Sequence, residues 1–410
     1  MALLPVQPGE RIRALDALRG FALFGILVAN WRGFGWPAEY YPTPSAVLHS
    51  AADLRVQFLV DLLFGNKFIS LLSLLFGIGF AIQLDRAAAR GASFLAFHGR
   101  RLAGLAVIGC AHAFLLWWGD ILLTYVVAGA LLWLFRGCGR RALLAWAGAL
   151  LLLPFWLTLW RIATFSASAG SGSSPRPLVD DVVARAAHAY LHGSWRERLG
   201  QNFHDWTVNN ADGYFTVLVV LAWFLAGVWL WRSGFVSRLR ERASLLKRVA
   251  GWCLTLGVAA LLLVFHVRQS LHPRPDHLPE LLIVAALVRV AATAAVSVGY
   301  AAGIAHLAAS GRLPRLERGL EAVGRTALSN YLLQSLVGTF VHYGHGLGLY
   351  SKVGAAAGMA LSLAVFSLQV PLSLWYLSRR RTGPVEWLWR LMSYGRPAEV
   401  AATAPTGETA

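Results

Sequence analysis

The chain has 410 residues, of which 57% are hydrophobic and 14% charged, against about 45–50% apolar and about 25% charged in an ordinary soluble domain; this excludes a soluble enzyme on a single anchor. At about 20 apolar residues per crossing, the hydrophobic share fills on the order of ten membrane helices, while continuous runs such as 143–159 exclude an outer-membrane barrel, whose strands alternate. The formal charge of +17, from 37 basic and 20 acidic residues, is dispersed in short clusters between apolar runs, which excludes a basic nucleic-acid-binding domain and points to membrane topology.

The first run, 14–31, ends without a small-residue cleavage motif and reads as an uncleaved span. Asp16 and Arg19 lie three apart on it, on one helical face. They form either a mutually neutralising pair or part of a ligand site. In the second reading Arg19, with Arg100, Arg101 and Arg325 at the same membrane face, offers guanidinium forks to a phosphorylated ligand. The second run, 56–84, is long; Asp61, Gly65, Asn66 and Lys67 divide it into a shallow amphipathic piece and a deeper one from Phe68.

The third run, 101–118, carries His112 six residues before the Trp118-Gly119-Asp120 turn, about 10 Å below the outer surface at 1.5 Å per residue. Imidazole suits general-base or proton-relay work, and Asp120, opening the fourth run at 120–136, is placed to orient it. A plain hydrogen bond across a helix pair explains the histidine as well. The fifth run, 142–163, precedes the largest outer loop, 164–212. This loop holds a Ser/Gly/Ala stretch at 166–174 and a helical segment from Leu178 to His192. The segment is either an amphipathic helix on the membrane surface or a lid over an outward-facing cavity.

Further runs occupy 213–231, 249–267, 280–307, 322–343 and 353–378. The ninth carries Asn330, Tyr331 and Gln334, with His342 and His345 at its outer end. Asn330 and Gln334 share a face at i, i+4, for interhelical hydrogen bonding or for substrate contact. Cys110, Cys138 and Cys253 are isolated, so neither a disulfide framework nor a metal site is expected. The glycines at 77, 79, 344, 346 and 348 make no phosphate loop, because no Lys-Ser/Thr follows. Metalloprotease and nucleophile-elbow motifs are missing too.

Basic residues gather in alternate loops, at Arg11 and Arg13, Arg86 to Arg101, Arg136 to Arg141, Arg232 to Arg248, Arg312 to Arg318 and Arg379 to Arg381. By the positive-inside rule both termini face the cytoplasm. The expected architecture is an all-α, polytopic helical bundle of about ten transmembrane helices, nine or eleven fitting the pattern as well. It forms one membrane domain over 1–396 with a disordered tail at 397–410, in a bacterial inner membrane.

Five stretches carry a resemblance. They are Leu15-Asp-Ala-Leu-Arg-Gly-Phe-Ala-Leu-Phe-Gly-Ile-Leu-Val-Ala-Asn30, Ser70 to Phe80, His112 through Trp118-Gly-Asp-Ile-Leu-Leu-Thr124, Gly324-Arg-Thr-Ala-Leu-Ser-Asn-Tyr-Leu-Leu-Gln-Ser335 and Gly383 to Arg390. Together they resemble the bacterial YeiB-like family of multispanning proteins of uncharacterised function, which is distantly similar to the transmembrane acyltransferase superfamily. In the related acyltransferase-three family a histidine follows the first-span arginine by eleven positions; here that position is Asn30, and His112 is the replacement by placement.

The resemblance implies transfer of an acyl group from a cytoplasmic-side acyl-coenzyme A, the one cofactor-like molecule expected, to an extracytoplasmic acceptor. Arg19, Arg100, Arg101 and Arg325 would hold the donor phosphates, and His112 with Asp120 would take the acceptor proton. Asp16, Asn30, Asn330, Tyr331, Gln334 and His342 would line the substrate path. The expected partners are the lipid bilayer and the small-molecule donor and acceptor. The rival reading is a permease for a small polar solute, in which the same buried polar groups line a route and catalyse nothing.

Overall fold

A computed structural model describes residues 11–40, 48, 50–168, 179–271 and 279–394. The expected tail at 397–410 and most of the Ser/Gly/Ala stretch lie outside the described residues. In chain order the helices are α1 (Arg13–Gly35), α2 (Ala51–Leu63), α3 (Lys67–Ala89), α4 (Phe94–Cys110), α5 (Leu122–Leu132), α6 (Arg140–Ser168), α7 (Val179–Leu191) and α8 (Trp195–Asn209). They continue with α9 (Gly213–Arg232), α10 (Ala243–Leu271), α11 (Pro279–Ser310), α12 (Pro314–Arg325), α13 (Ala327–His342), α14 (Ala355–Arg379) and α15 (Pro384–Tyr394). No strand occurs among the described residues.

Among the described residues, eight helical segments are long and apolar enough to cross a membrane, α2 and α3 counting as one, and Leu122–Phe135 is a shorter apolar helix. The second run divides where its polar residues suggested: Asn66 adopts a left-handed backbone, φ 62°, which its short polar side chain tolerates. Lys67 Nζ donates to Asp61 O at 2.7 Å across the turn.

The ninth run is not one helix. Its first part belongs to α12, which buries Leu320 and Val323 while Arg315 and Arg318 stay exposed. The chain breaks at Thr326, and α13 begins at Ala327. The physical cause is Glu386 of α15, whose carboxylate accepts from the backbone N–H groups of Leu328 and Ser329 and from Ser329 Oγ. An acidic group satisfies the orphan donors and positive end of a helix start. Of the third run, α4 passes into a wider π-helical turn, Ala111–Leu116, closed by Trp117 N donating to His112 O at 2.8 Å.

Helix α1 is central, packing on α3, α11, α12, α13 and α14. Within lipid, helices associate through close packing of small residues rather than by expelling water, and α3 meets α9 in that way. A Cβ on Gly77 would lie 2.0 Å from Phe224 O. Gly77→Val is therefore expected to destabilise by about 3 kcal/mol, the upper end of typical overpacking costs. Gly148, which has nothing within 4 Å, should accept Ala without loss. Melting of the detergent-solubilised protein, followed by size exclusion, compares the two.

Candidate functional site

The π-helical turn sets the first part of the site. It carries His112 inward, where the imidazole Nδ1 lies 2.8 Å from Asp120 Oδ1. Both side chains are completely enclosed. Asp120 Oδ2 accepts from Leu123 N at 2.8 Å, anchoring the carboxylate at the start of α5. On the other side of the ring, His112 Nε2 lies 2.8 Å from Ser335 Oγ on α13. A carboxylate in its ionised form only accepts, so Nδ1 is the nitrogen that donates to Asp120. In the neutral imidazole Nε2 is then the acceptor for the Ser335 hydroxyl. Tyr331, one turn below Ser335, packs its ring 4.9 Å from the imidazole, and Trp117 donates to Gly33 O at 2.9 Å beside it.

The pair expected from sequence thus meets. Ser335 was not singled out, although it closes one of the quoted motifs. Its signal lay in the i, i+4 register with Tyr331, which puts both on one helical face.

The second part is a cavity of about 710 Å³ at the face where α1 begins and α15 lies. Arg11, Arg19, Arg86, Arg101, Arg325 and Arg390 line it against the carboxylates Asp16, Asp85 and Glu386. Those carboxylates are engaged: Asp16 pairs with Arg19, Asp85 accepts from Trp231 Nε1 at 2.7 Å, and Glu386 holds the start of α13. The Arg101 guanidinium lies over the Trp389 ring at 4.4 Å, and the Nε atoms of Arg101 and Arg325 are buried without a hydrogen-bond partner. Buried donors are rarely left so. The cavity volume suits a small-molecule ligand. Tyr125, Ala327 and Leu328 form part of its lining, and Ser335 stands seven helical residues beyond Leu328, about 10 Å further at 1.5 Å per residue.

Several expected residues are placed elsewhere. Arg100 does not join the cavity; it is exposed, and its Nε donates to Ser393 O at 3.1 Å. Asn30 is half-buried on α1, outside the cavity lining. Asn330 Nδ2 donates to Thr326 Oγ1 at 2.8 Å and to Ser373 Oγ at 3.0 Å, and Gln334 Nε2 donates to Gln369 Oε1 at 2.9 Å. These two residues join α13 to α14, the interhelical role left open above. His342 is buried, its Nδ1 2.8 Å from Gly338 O, with its ring 5.7 Å from that of Trp31. Asp16, Arg19, Arg101 and Arg325 remain together in the cavity, and Tyr331 touches His112.

At the opposite face α7 and α8 close over an aromatic layer in which Trp117, Trp118, Tyr190, Tyr343 and Tyr350 are all buried. Tyr190 OH donates to Asp205 Oδ2 at 2.6 Å, and Gln201 Nε2 donates to Oδ1 at 2.9 Å. Burial pushes the Asp205 carboxyl up to about 6, partly offset by the Tyr190 hydrogen bond. Its value in the folded protein is raised, so the stabilisation is complete below about pH 4 and is lost as pH rises through about 6. Amides of α7 and α8 should exchange more slowly, after correction for intrinsic rates, at pH 5 than at pH 8. The span corresponds to at most about 3 kcal/mol, and Asp205→Asn should abolish the difference.

These helices define a multi-pass helical membrane protein with a buried His–Asp–Ser cluster and an arginine-lined cavity. Residues 230–396 match the family described as Protein of unknown function (DUF418). The chain is 33% identical to the uncharacterized protein YxaH of Bacillus subtilis (strain 168), with 96% of each chain covered. It is 30% identical to the uncharacterized protein YeiB of Escherichia coli (strain K12), over 94% of this chain and 96% of that one. The chain belongs to this YeiB-like family. No solved structure matches it. The stretch matching the family model contains Arg325, Tyr331 and Ser335, whereas Arg19, Arg101, His112 and Asp120 come from the N-terminal part.

Proposed function

We propose that this protein is a membrane-embedded acyltransferase of the bacterial cytoplasmic membrane, taking an acyl group from cytoplasmic acyl-coenzyme A and delivering it to an acceptor that approaches from the other side. The observation that carries the reading is the arginine-lined cavity, with two buried guanidinium Nε donors lacking partners and a histidine relay about 10 Å beyond its inner lining. Guanidinium groups bind phosphate oxygens through paired, charge-assisted hydrogen bonds. An acyl-coenzyme A supplies several phosphates at one end and a reactive thioester at the end of a long thin arm.

In this scheme Arg19, Arg101 and Arg325 grip the phosphates, leaving the arm to reach inward past Tyr331. His112 takes a proton at Nε2, and Asp120 holds the ring in the tautomer that leaves Nε2 free to do so. The test is binding of acetyl- and longer acyl-coenzyme A to the detergent-purified protein by calorimetry. Saturable binding weakened by loss of a cavity arginine supports the reading. A wild-type protein that binds none of them overturns it, and solute uptake into reconstituted vesicles then becomes the relevant assay.

A further inference from the structure

We propose that Ser335 is the nucleophile that carries the acyl group, as a covalent acyl-serine, between the donor on one side of the membrane and the acceptor on the other. This rests on the acyl-transfer reading above and names the chemistry of its central step. Ser335 Oγ lies 2.8 Å from His112 Nε2, and His112 Nδ1 lies 2.8 Å from Asp120 Oδ1. A nucleophile, a base and an orienting carboxylate in that order are recognised by geometry and role, whatever their order in the chain.

The serine itself argues against a merely structural bond. A helical serine ordinarily returns its hydroxyl to the carbonyl four residues earlier. Ser70, Ser297, Ser362 and Ser393 do so at 3.0, 2.9, 2.8 and 2.6 Å. Ser335 stands 3.5 Å from its own such carbonyl, on Tyr331, and is closer to the imidazole. Its hydroxyl is thus directed to a nitrogen that accepts protons, within a fully enclosed His–Asp pair whose desolvation is costly and gains nothing for packing alone.

In the first half-reaction Ser335 Oγ attacks the thioester carbonyl carbon while its proton passes to His112 Nε2. The Oγ–C bond forms and the C–S bond breaks. His112 then gives the proton to the departing thiolate, which leaves as coenzyme A. In the second half an acceptor hydroxyl or amine loses its proton to His112 as it attacks the ester carbonyl. The Oγ–C bond breaks, and Ser335 recovers the proton. No further reactant is needed. Donor and acceptor never meet, which suits a relay enclosed between a cavity at one face and the α7–α8 cap at the other.

The experiment uses the full-length protein in detergent with isotopically labelled acetyl- and longer acyl-coenzyme A and no acceptor, so the unknown acceptor does not enter. The expected result is a stoichiometric burst of free coenzyme A thiol. An acyl mass increment should appear on the peptide bearing Ser335 and should be removed by hydroxylamine. Ser335→Ala should bind the donor as wild type does but give neither burst nor increment, and Ser335→Cys should accumulate the corresponding thioester. Coenzyme A release without an adduct, or a Ser335→Ala variant that keeps the burst, overturns the covalent role and leaves direct transfer by His112 standing. Failure of the wild-type protein to bind any acyl-coenzyme A overturns both readings together.

Discussion

Replacing His112 with Gln is expected to slow acyl-coenzyme A-dependent release of coenzyme A by about 10³-fold, within the 10²–10⁴ range that a positioned general base contributes. Donor affinity should stay within about twofold of wild type, the pattern of a group used only in the transition state. Glutamine is close in size, and its amide can donate to Asp120 and accept from Ser335, so the polar contacts of the enclosed pair are largely replaced. What it lacks is a nitrogen that takes up a proton near neutral pH. His112 does not line the arginine-rich cavity proposed to hold the donor, so binding has no direct reason to change. Burst kinetics and calorimetry on the same preparation separate the two quantities. A His112→Gln protein with near wild-type release would remove the imidazole from the chemistry.

The second large effect concerns Arg101. Its guanidinium is held over Trp389 with an unpartnered Nε, and charge-assisted hydrogen bonds are worth about 1.5–3 kcal/mol. Arg101→Ala should therefore weaken acyl-coenzyme A binding by roughly 10- to 100-fold. Arg101→Lys should recover only part of this, since an ammonium keeps the charge but loses the fork. Arg19→Ala acts in the same direction and also removes the ion-pair partner of Asp16, which is nearly buried, so that its negative charge offsets more of the cavity's positive charge. Arg100→Ala, one residue away, should bind within about twofold of wild type, because its side chain lies outside the cavity and charges there are screened by solvent. Calorimetric affinities across the four variants decide the matter, with melting temperatures as a check on folding. Equal affinities for Arg101→Ala and wild type would exclude the cavity as the phosphate site.

The membrane class follows from local composition, because a chain that spans a bilayer must satisfy its backbone internally, as helices or a closed barrel, and continuous apolar runs fit only the helices. The break between α2 and α3 was legible for a similar reason: Asp61, Gly65, Asn66 and Lys67 are concentrated there and Asn66 takes the left-handed turn. His112 and Asp120 were readable as a pair, being eight residues apart around one turn.

Other features depend on groups distant in sequence. The end of α12 and the start of α13 are set by Glu386, 58 residues beyond Leu328, which a reading of 322–343 as one run does not reveal. Ser335 reaches His112 across 223 residues, and Asn330 and Gln334 find Ser373 and Gln369 on α14. Arg100 and Arg101 are adjacent and chemically identical, but successive residues on a helix point about 100° apart. Docking of α15 then places Arg101 on Trp389 and leaves Arg100 outside. Sequence alone determined which segments are helical and which side chains are able to do chemistry. Tertiary packing decided which of them meet, because the facing of each helix is set by partners that periodicity does not reveal.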